Sequence, residues 1–297
     1  MAPILELQHI NKSFEGFKLD DISLQLESGY ILGCIGPNGS GKTTLIRLIM
    51  NLLKADSGTI RLFGTELNGD RRSERAAKEN IGFVYDEACL YEDVLPLAMK
   101  DLVCKFYSRW DDHEFSRYFD LFELPENKPL KTFSQGMKMK FVTAIALSHH
   151  AQLIIMDEPT SGLDPVSRHE ILEILQDYIA REGAAVFFST HITSDLERIA
   201  DYICLIHKGE HLFTLPKDEV LDRYRMVRGP LEVLGTGESG SSPKVDLPLI
   251  GYAKNSYGFE GLTDDNAFFI SHYPAAVVTE RCSLDDLMLY MTKRRVD

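Results

Sequence analysis

The chain has 297 residues, of which 44% are hydrophobic and 26% charged, so it holds enough apolar side chains to bury a sizeable core. Its 45 acidic residues outnumber its 32 basic residues and give a formal net charge of −13. This charge argues against broad contact with nucleic-acid phosphates and against a basic DNA-binding module.

Five widely spaced cysteines form no C-x-x-C pair, a pattern typical of reduced thiols in a cytosolic protein. The longest apolar runs are far shorter than the roughly 20 residues that a membrane helix needs. The N-terminal residues also lack the charged and apolar pattern of an export signal. We therefore expect a cytoplasmic protein, in which any membrane span has to come from another chain.

The first thirty residues and the segment 58–63 alternate between apolar and polar residues, which predicts antiparallel strands. From Tyr30 onward the pattern changes to strand, glycine-rich turn and helix. It resumes after a long insertion, with apolar strands near Leu153 and Val186 and a helix over 165–181. This alternation predicts a mostly parallel α/β sheet.

The insertion covers about residues 87–148 and has helical periodicity, which predicts an inserted helical subdomain. A stretch rich in glycine, serine and proline over 235–244 is typical of a linker. We therefore expect a main domain over 1–220 and a small C-terminal accessory domain over 221–297.

The strongest motif is GPNGSGKTT, which follows an apolar strand and precedes a helical pattern. It fits G-x-x-x-x-G-K-[ST], a loop whose backbone N–H groups and following helix N-terminus bind nucleotide phosphates. In such a loop Lys42 reaches the β- and γ-phosphates and the Thr43 hydroxyl ligates Mg²⁺. A chance glycine-rich turn is the alternative, and the strand-to-helix context argues against it. The predicted nucleotide-binding residues of the loop are Gly36, Pro37, Asn38, Gly39, Ser40, Gly41, Lys42, Thr43 and Thr44.

Two carboxylates follow the apolar strand in LIIMDEP, at the strand end where α/β sheets bind ligands. We expect Asp157 to hold Mg²⁺ and Glu158 to polarise the water that attacks the γ-phosphate. His191 follows another apolar strand, where it can donate a proton to a γ-phosphate oxygen. An acidic turn or a strand-end histidine alone would be an ordinary structural feature. The phosphate loop is what favours the catalytic interpretation.

Two further motifs make the pattern more specific. SQGM opens a helix at residues 134–137, with Ser134 as a suitable N-cap and Gly136 leaving room for a phosphate to approach the backbone. SGLD at residues 161–164 follows the two carboxylates directly. Together with the phosphate loop and His191, these motifs resemble the ATP-binding-cassette (ABC) ATPase family across about residues 3–220.

The resemblance implies a P-loop NTPase fold of the ABC ATPase type. An antiparallel β subdomain, a mostly parallel core sheet, the inserted helical subdomain and a small C-terminal appended domain would make up this α/β fold. By the same resemblance, residues 36–43 form the Walker A loop and residues 134–137 the signature motif, while residues 161–164 form the D-loop. The catalytic residues would be Glu158, His191 and Lys42, with Asp157 as the Walker B aspartate and His191 as the switch histidine.

Three positions need separate comment. Phe14 stands where the family has an aromatic residue that stacks on adenine, although an aromatic residue in an alternating strand often belongs to the core. The signature retains Ser134 and Gly136 but ends in Met137, where the family has glutamine. Asp86 stands where the family has the glutamine of the Q-loop. Because Mg²⁺ binds carboxylate oxygens well, we expect Asp86 to ligate the metal too.

In this family, ATP is bound between the Walker A loop of one copy and the signature helix of another, and this chain has one of each. The resemblance therefore implies a homodimer, or a heterodimer with another ABC ATPase subunit, bound to an integral membrane permease at the inner face of the cell membrane. The motifs VYDE and GMKMK and the appended C-terminal segment most resemble bacterial export-type subunits, including the Ytr-like group. We expect ATP and Mg²⁺ as cofactors, hydrolysis coupled to export, and no nucleic-acid partner. A soluble ABC ATPase acting on a ribosome or nucleic-acid complex, and a P-loop kinase, remain alternatives.

Overall fold

The structure is a computed structural model, and it describes residues 3–85, 90–234 and 247–292. Asp86 and the expected linker over 235–244 lie outside these described residues. The chain divides into two compact units, Met1–Thr214 and Leu215–Asp297.

Ten strands form the large sheet, and the last of them runs two residues into the second unit. These strands are β1 (Leu5–Phe14), β2 (Phe17–Leu26), β3 (Ile31–Ile35), β4 (Ser57–Leu62), β5 (Thr65–Glu66), β6 (Ile81–Tyr85), β7 (Leu153–Asp157), β8 (Ala185–Thr190), β9 (Tyr202–His207) and β10 (Glu210–Pro216). The helices of the first unit are α1 (Lys42–Ile49), α2 (Arg71–Lys78), α3 (Pro96–Val103), α4 (Asp112–Leu121), α5 (Gln135–Leu147), α6 (Pro165–Glu182) and α7 (Thr193–Ile199). The strand order is β5-β4-β1-β2-β10-β9-β3-β8-β7-β6.

The two halves of this sheet differ in strand direction and in burial. On one side, β1 pairs antiparallel with β2 and β4, and its alternating burial matches a sheet with one face on the core. On the other side, β3, β7 and β8 are parallel and all their residues are buried. Strands covered on both faces read as continuous apolar runs, which is how the sequence identified them. The predicted α/β fold class is confirmed.

Register places the carboxyl ends of the parallel strands side by side. Ile35 of β3 is paired with Thr190 of β8, and Asp157 of β7 with Ser189 of β8. Because parallel strands in register end at the same edge, the segments that follow β3, β7 and β8 all begin there. The three strongest sequence motifs are thereby brought together.

Three helices, α3, α4 and α5, lie between β6 and β7 in the predicted insertion. Phe115 and Phe119 of α4 pack edge-to-face against Phe141 of α5 and form an aromatic core. The helical pattern of the sequence extends further than the helix itself. After α3 ends at Val103, the chain makes a short 3₁₀ turn over Cys104–Phe106.

The second unit has its own sheet and core. Its elements are α8 (Lys217–Arg223), β11 (Arg225–Gly229), β12 (Gly251–Asn255), β13 (Gly258–Thr263), α9 (Asn266–His272), β14 (Val278–Arg281) and α10 (Leu284–Thr292). The sheet order is β12-β13-β11-β14, and all three pairings are antiparallel. Val227, Phe259 and Phe269 are among the buried residues of its core. In the parts of the chain that the structure covers, every helix is too short or too polar to cross a bilayer.

Candidate nucleotide-binding site

The predicted phosphate loop connects β3 to α1. Gly41 is the N-cap residue of α1 and has φ +114°, a conformation that side chains rarely adopt. Gly36 is required for a different reason, because a Cβ there would lie 2.2 Å from the Ile206 carbonyl oxygen. The Ser40 N–H donates to the Pro37 carbonyl at 3.1 Å and closes the turn. Glycine at these two positions is therefore dictated by local geometry.

The loop lines a cavity of about 560 Å³. The lining residues are Phe17, Asn38, Gly39, Ser40, Gly41, Lys42, Thr43, Thr44 and Glu158. Glu158 comes from the end of β7, so the cavity joins the phosphate loop to the predicted catalytic carboxylate. Lys42, only 6% exposed, donates from Nζ to the Gly36 carbonyl at 2.8 Å. A buried ammonium group and the N-terminus of α1 favour an anion in this cavity.

Glu158 lies between two other predicted catalytic residues. Its Oε1 is 3.6 Å from Lys42 Nζ, and its Oε2 is 2.7 Å from His191 Nδ1. The His191 backbone N–H also donates to Oε2, at 3.2 Å. Because a carboxylate only accepts hydrogen bonds, the 2.7 Å contact with Glu158 Oε2 requires a proton on His191 Nδ1. Lys42, Glu158 and His191 thus form one connected group at the carboxyl edge of the sheet.

Asp157 is deeply buried beside this group. It is 3% exposed, and its Oδ1 has no hydrogen-bond partner among the described residues. Burial raises the pKa of the Asp157 carboxyl above its ordinary value, and the hydroxyls of Thr43 and Ser189 oppose that rise. A buried carboxylate oxygen with a free lone pair and a hydroxyl nearby suits a hard cation such as Mg²⁺. Asp157 and Thr43 therefore fit the predicted metal.

The predicted signature residues lie at the start of α5. Ser134 is the N-cap residue, and its Oγ accepts from the Met137 N–H at 3.2 Å. A Cβ on Gly136 would lie 3.6 Å from Leu163 and 3.8 Å from Ser167, both ordinary contact distances. Packing within the described chain therefore does not require glycine at position 136. Neither Ser134 nor Gly136 lines the cavity that contains Lys42.

Phe14 is 44% exposed at the end of β1, so it does not belong to the core. Its ring centroid lies 6.3 Å from that of Phe17, and the two residues are paired across the β1–β2 turn. Among the described residues, the aromatic side chain that lines the cavity is that of Phe17, which the motifs did not single out. The short spacing of two aromatic residues around Glu15 and Gly16 is the sequence signal that could have identified it. Asp86 lies outside the described residues.

Comparison with known sequences identifies the family. The sequence profile of the ABC transporter family matches residues 19–161. The ABC transporter ATP-binding protein YtrB of Bacillus subtilis (strain 168) is 30% identical over 222 residues, which cover 74% of this chain and 75% of YtrB. The chain belongs to the ABC transporter ATP-binding protein family. It is an ABC ATPase that binds and hydrolyses ATP as a subunit of a transporter.

Another relative and one solved structure agree with this assignment, and a second solved structure shares the fold. The bacitracin transport ATP-binding protein BcrA of Bacillus licheniformis is 28% identical over 76% of this chain and 74% of its own length. The structure of an ATP-binding subunit of an ABC transporter matches with a TM-score of 0.67 and 26% identity, covering 74% of this chain and 92% of that chain. A dimeric, post-hydrolysis ABC cassette, MJ0796, shares the fold with a TM-score of 0.64 at 22% identity over 71% of this chain and 98% of that one.

The loop of this ABC ATPase needs glycine for two reasons, crowding around the Cβ and a positive φ, and two substitutions distinguish them. Gly36→Ala places a Cβ against a backbone carbonyl that cannot easily move, so we expect a loss of about 2–3 kcal/mol of unfolding free energy and weaker ATP binding. Gly39→Ala, in the same loop, has φ +78° but open space around its Cβ, and should cost only about 1 kcal/mol. Denaturant unfolding and ATP titration measure both effects. Equal losses of stability in the two variants would contradict the crowding argument.

Proposed function

We propose that the ATPase uses two copies of the cassette, as a homodimer or with another ABC ATPase subunit, to drive export through a separate membrane permease. Its place would be peripheral, on the inner face of the cell membrane, with residues 221–297 as an accessory domain. The observation that carries the dimer is the separation of the signature from the Lys42 cavity. Ser134 and Gly136 do not line that cavity, yet Ser134 is exposed at the start of α5.

The contacts of Lys42 indicate how nucleotide binding activates the site. Lys42 Nζ interacts with loop carbonyls and with the Glu158 carboxylate. The negative phosphates of ATP would compete with Glu158 for this ammonium group, because both are anions. Glu158 is then available to orient the attacking water and accept its proton, while His191 holds the other carboxylate oxygen.

Asp157 and Thr43 would hold Mg²⁺ beside the phosphates, with Asp86 as a further proposed ligand. When bound, the ion neutralises charge on the phosphate oxygens. Asp157 would contribute its buried Oδ1, which has no hydrogen-bond partner among the described residues, and Thr43 would contribute a hydroxyl at the first turn of α1. Phe14 is exposed and its ring centroid lies 6.3 Å from that of Phe17, which lines the cavity, and we propose that adenine stacks on Phe14.

Glu158→Gln tests the catalytic base and the dimer together. The amide cannot accept the water proton, so hydrolysis should fall at least about a hundredfold while ATP binding persists. Uncleaved ATP should then hold two chains together, as an ATP-dependent dimer in size-exclusion chromatography with light scattering. The matched control is Glu158→Gln combined with Lys42→Ala, which should stay monomeric at the same ATP concentration. Normal hydrolysis by the Glu158→Gln chain would rule out the proposed base.

The helical insertion offers an apolar surface for the permease. Five large apolar side chains within residues 91–106 are exposed, and the most exposed are Tyr91 and Phe106, each at 68%. Exposed apolar groups concentrated in one segment are typical of a protein contact. Trp110, by contrast, packs within the insertion, where its ring centroid lies 5.7 Å from that of Phe115. The remaining three exposed side chains are Leu95, Leu97 and Leu102.

Replacing Tyr91 and Phe106 with serine should reduce binding to the permease without affecting the isolated ATPase. Both side chains are exposed, so we expect little change in stability and normal ATP hydrolysis in solution. The measurement is the share of tagged chain recovered with washed native membranes, together with the multi-span protein that co-purifies. Tyr257→Ser is the control, because Tyr257 is 95% exposed in the second unit. Equal membrane recovery of the double variant and the wild type would argue against this surface.

A further inference from the structure

A buried hydrogen bond joins the segment after Glu158 to the helix that follows His191. The Thr160 hydroxyl donates to Asp195 Oδ2 at 2.6 Å, and the two residues are 0% and 3% exposed. Burial raises the pKa of the Asp195 carboxyl, while Thr160 and Arg168 oppose that rise. Burying a carboxylate is costly, and an apolar pair of similar shape often stabilises a fold as well or better. Stability alone therefore does not explain this pair.

The hydrogen bond connects the two segments that carry the proposed catalytic residues. Thr160 follows Glu158 by two residues, and Asp195 lies in the first turn of α7, four residues after His191. The pairing of β7 with β8 extends only to Asp157 and Ser189. Beyond the strand ends, the Thr160–Asp195 bond joins the two segments in addition to the contacts that Glu158 makes with His191.

Asp195 lies on a helix that packs closely against the core sheet. The next residue, Leu196, packs so closely over Gly33 of β3 that a Cβ on residue 33 would lie 2.6 Å from Leu196 Cδ1. The helix α7 is thereby held against the strand that leads into the phosphate loop. Arg168 of α6 also approaches Asp195, with Nε 3.9 Å from Oδ1. Asp195 thus contacts residues on both sides of the segment 161–164.

We propose that Thr160 and Asp195 form a positioning pair that fixes the placement of Glu158 relative to His191. Glu158 has φ +50°, a conformation that costs energy for a side-chain-bearing residue and persists only when its surroundings hold it. The pair provides such a hold two residues away from Glu158. Because a displacement of about 1 Å can slow catalysis about a hundredfold, loss of the pair should affect hydrolysis more than ATP binding. This inference rests on the roles proposed above for Glu158 and His191.

The test removes each partner and then both. Thr160→Val keeps the shape of threonine and deletes the hydroxyl, while Asp195→Ala deletes the acceptor. We expect kcat to fall about tenfold in each, with KM for ATP changed less than about threefold. The double variant should lose little more than either single variant, because both delete the same contact. Thr160→Ser keeps the donor and should retain kcat within about threefold of the wild type.

Tyr178→Phe is the matched control for loss of a buried hydrogen bond. The Tyr178 hydroxyl donates to the Ala151 carbonyl at 3.0 Å, in a different part of the unit. This variant should lower the Tm and leave kcat unchanged. An unchanged kcat in Thr160→Val, or a tenfold loss in Thr160→Ser or Tyr178→Phe, would overturn the positioning pair. Thr160→Ser keeps the test decisive if the valine variant folds poorly. Glu158→Gln, measured alongside, separates the two proposals, since normal hydrolysis there contradicts the base itself.

Discussion

The register of three parallel strands is the constraint on which the site depends. Pairing of Ile35 with Thr190 and of Asp157 with Ser189 brings the ends of β3, β7 and β8 to one edge of the sheet. Each strand then contributes one component: the phosphate loop, the two carboxylates, or the histidine. A slip of one residue in any of these pairings would turn the side chains of that strand to the other face. The buried apolar residues of the strands therefore determine the geometry of the polar site.

At that edge, charge organises the side chains. Lys42 contacts two carbonyl oxygens of the loop and one oxygen of Glu158, and the other Glu158 oxygen contacts His191. In a partly buried site such contacts are stronger than in water. The same Lys42 ammonium that holds Glu158 in this structure is the group that phosphates would bind. In the proposed mechanism, the contact with Glu158 would therefore couple the arrival of a phosphate to the release of the carboxylate.

The fold class and most of the site components could be predicted because they depend on local chemistry. The phosphate loop needs glycine at Gly36 and Gly41 for reasons of space and backbone conformation, so its sequence is diagnostic. Ser134 is recognisable as an N-cap from its residue type and from the helical pattern that follows it. The apolar runs of β3, β7 and β8 identify buried strands directly.

Other features depend on contacts between distant parts of the chain, and no local pattern indicates them. Thr160 and Asp195 are 35 residues apart, and only the fold brings them within hydrogen-bond distance. Likewise, Phe17 reaches the cavity because the β1–β2 hairpin lies against Gly41. The early end of α3 at Val103 shows the opposite case, in which helical periodicity continues although the helix does not.

The claim at the centre of this account is that the cavity bordered by Lys42 and Glu158 binds the phosphates of ATP. Isothermal titration of the purified chain with Mg·ATP, in parallel with the Lys42→Ala variant, tests it most directly. The account predicts one nucleotide per wild-type chain and at least about a tenfold weaker association in the variant, which lacks the buried ammonium group. Undetectable binding by the wild type, or equal affinity in the two proteins, would contradict it.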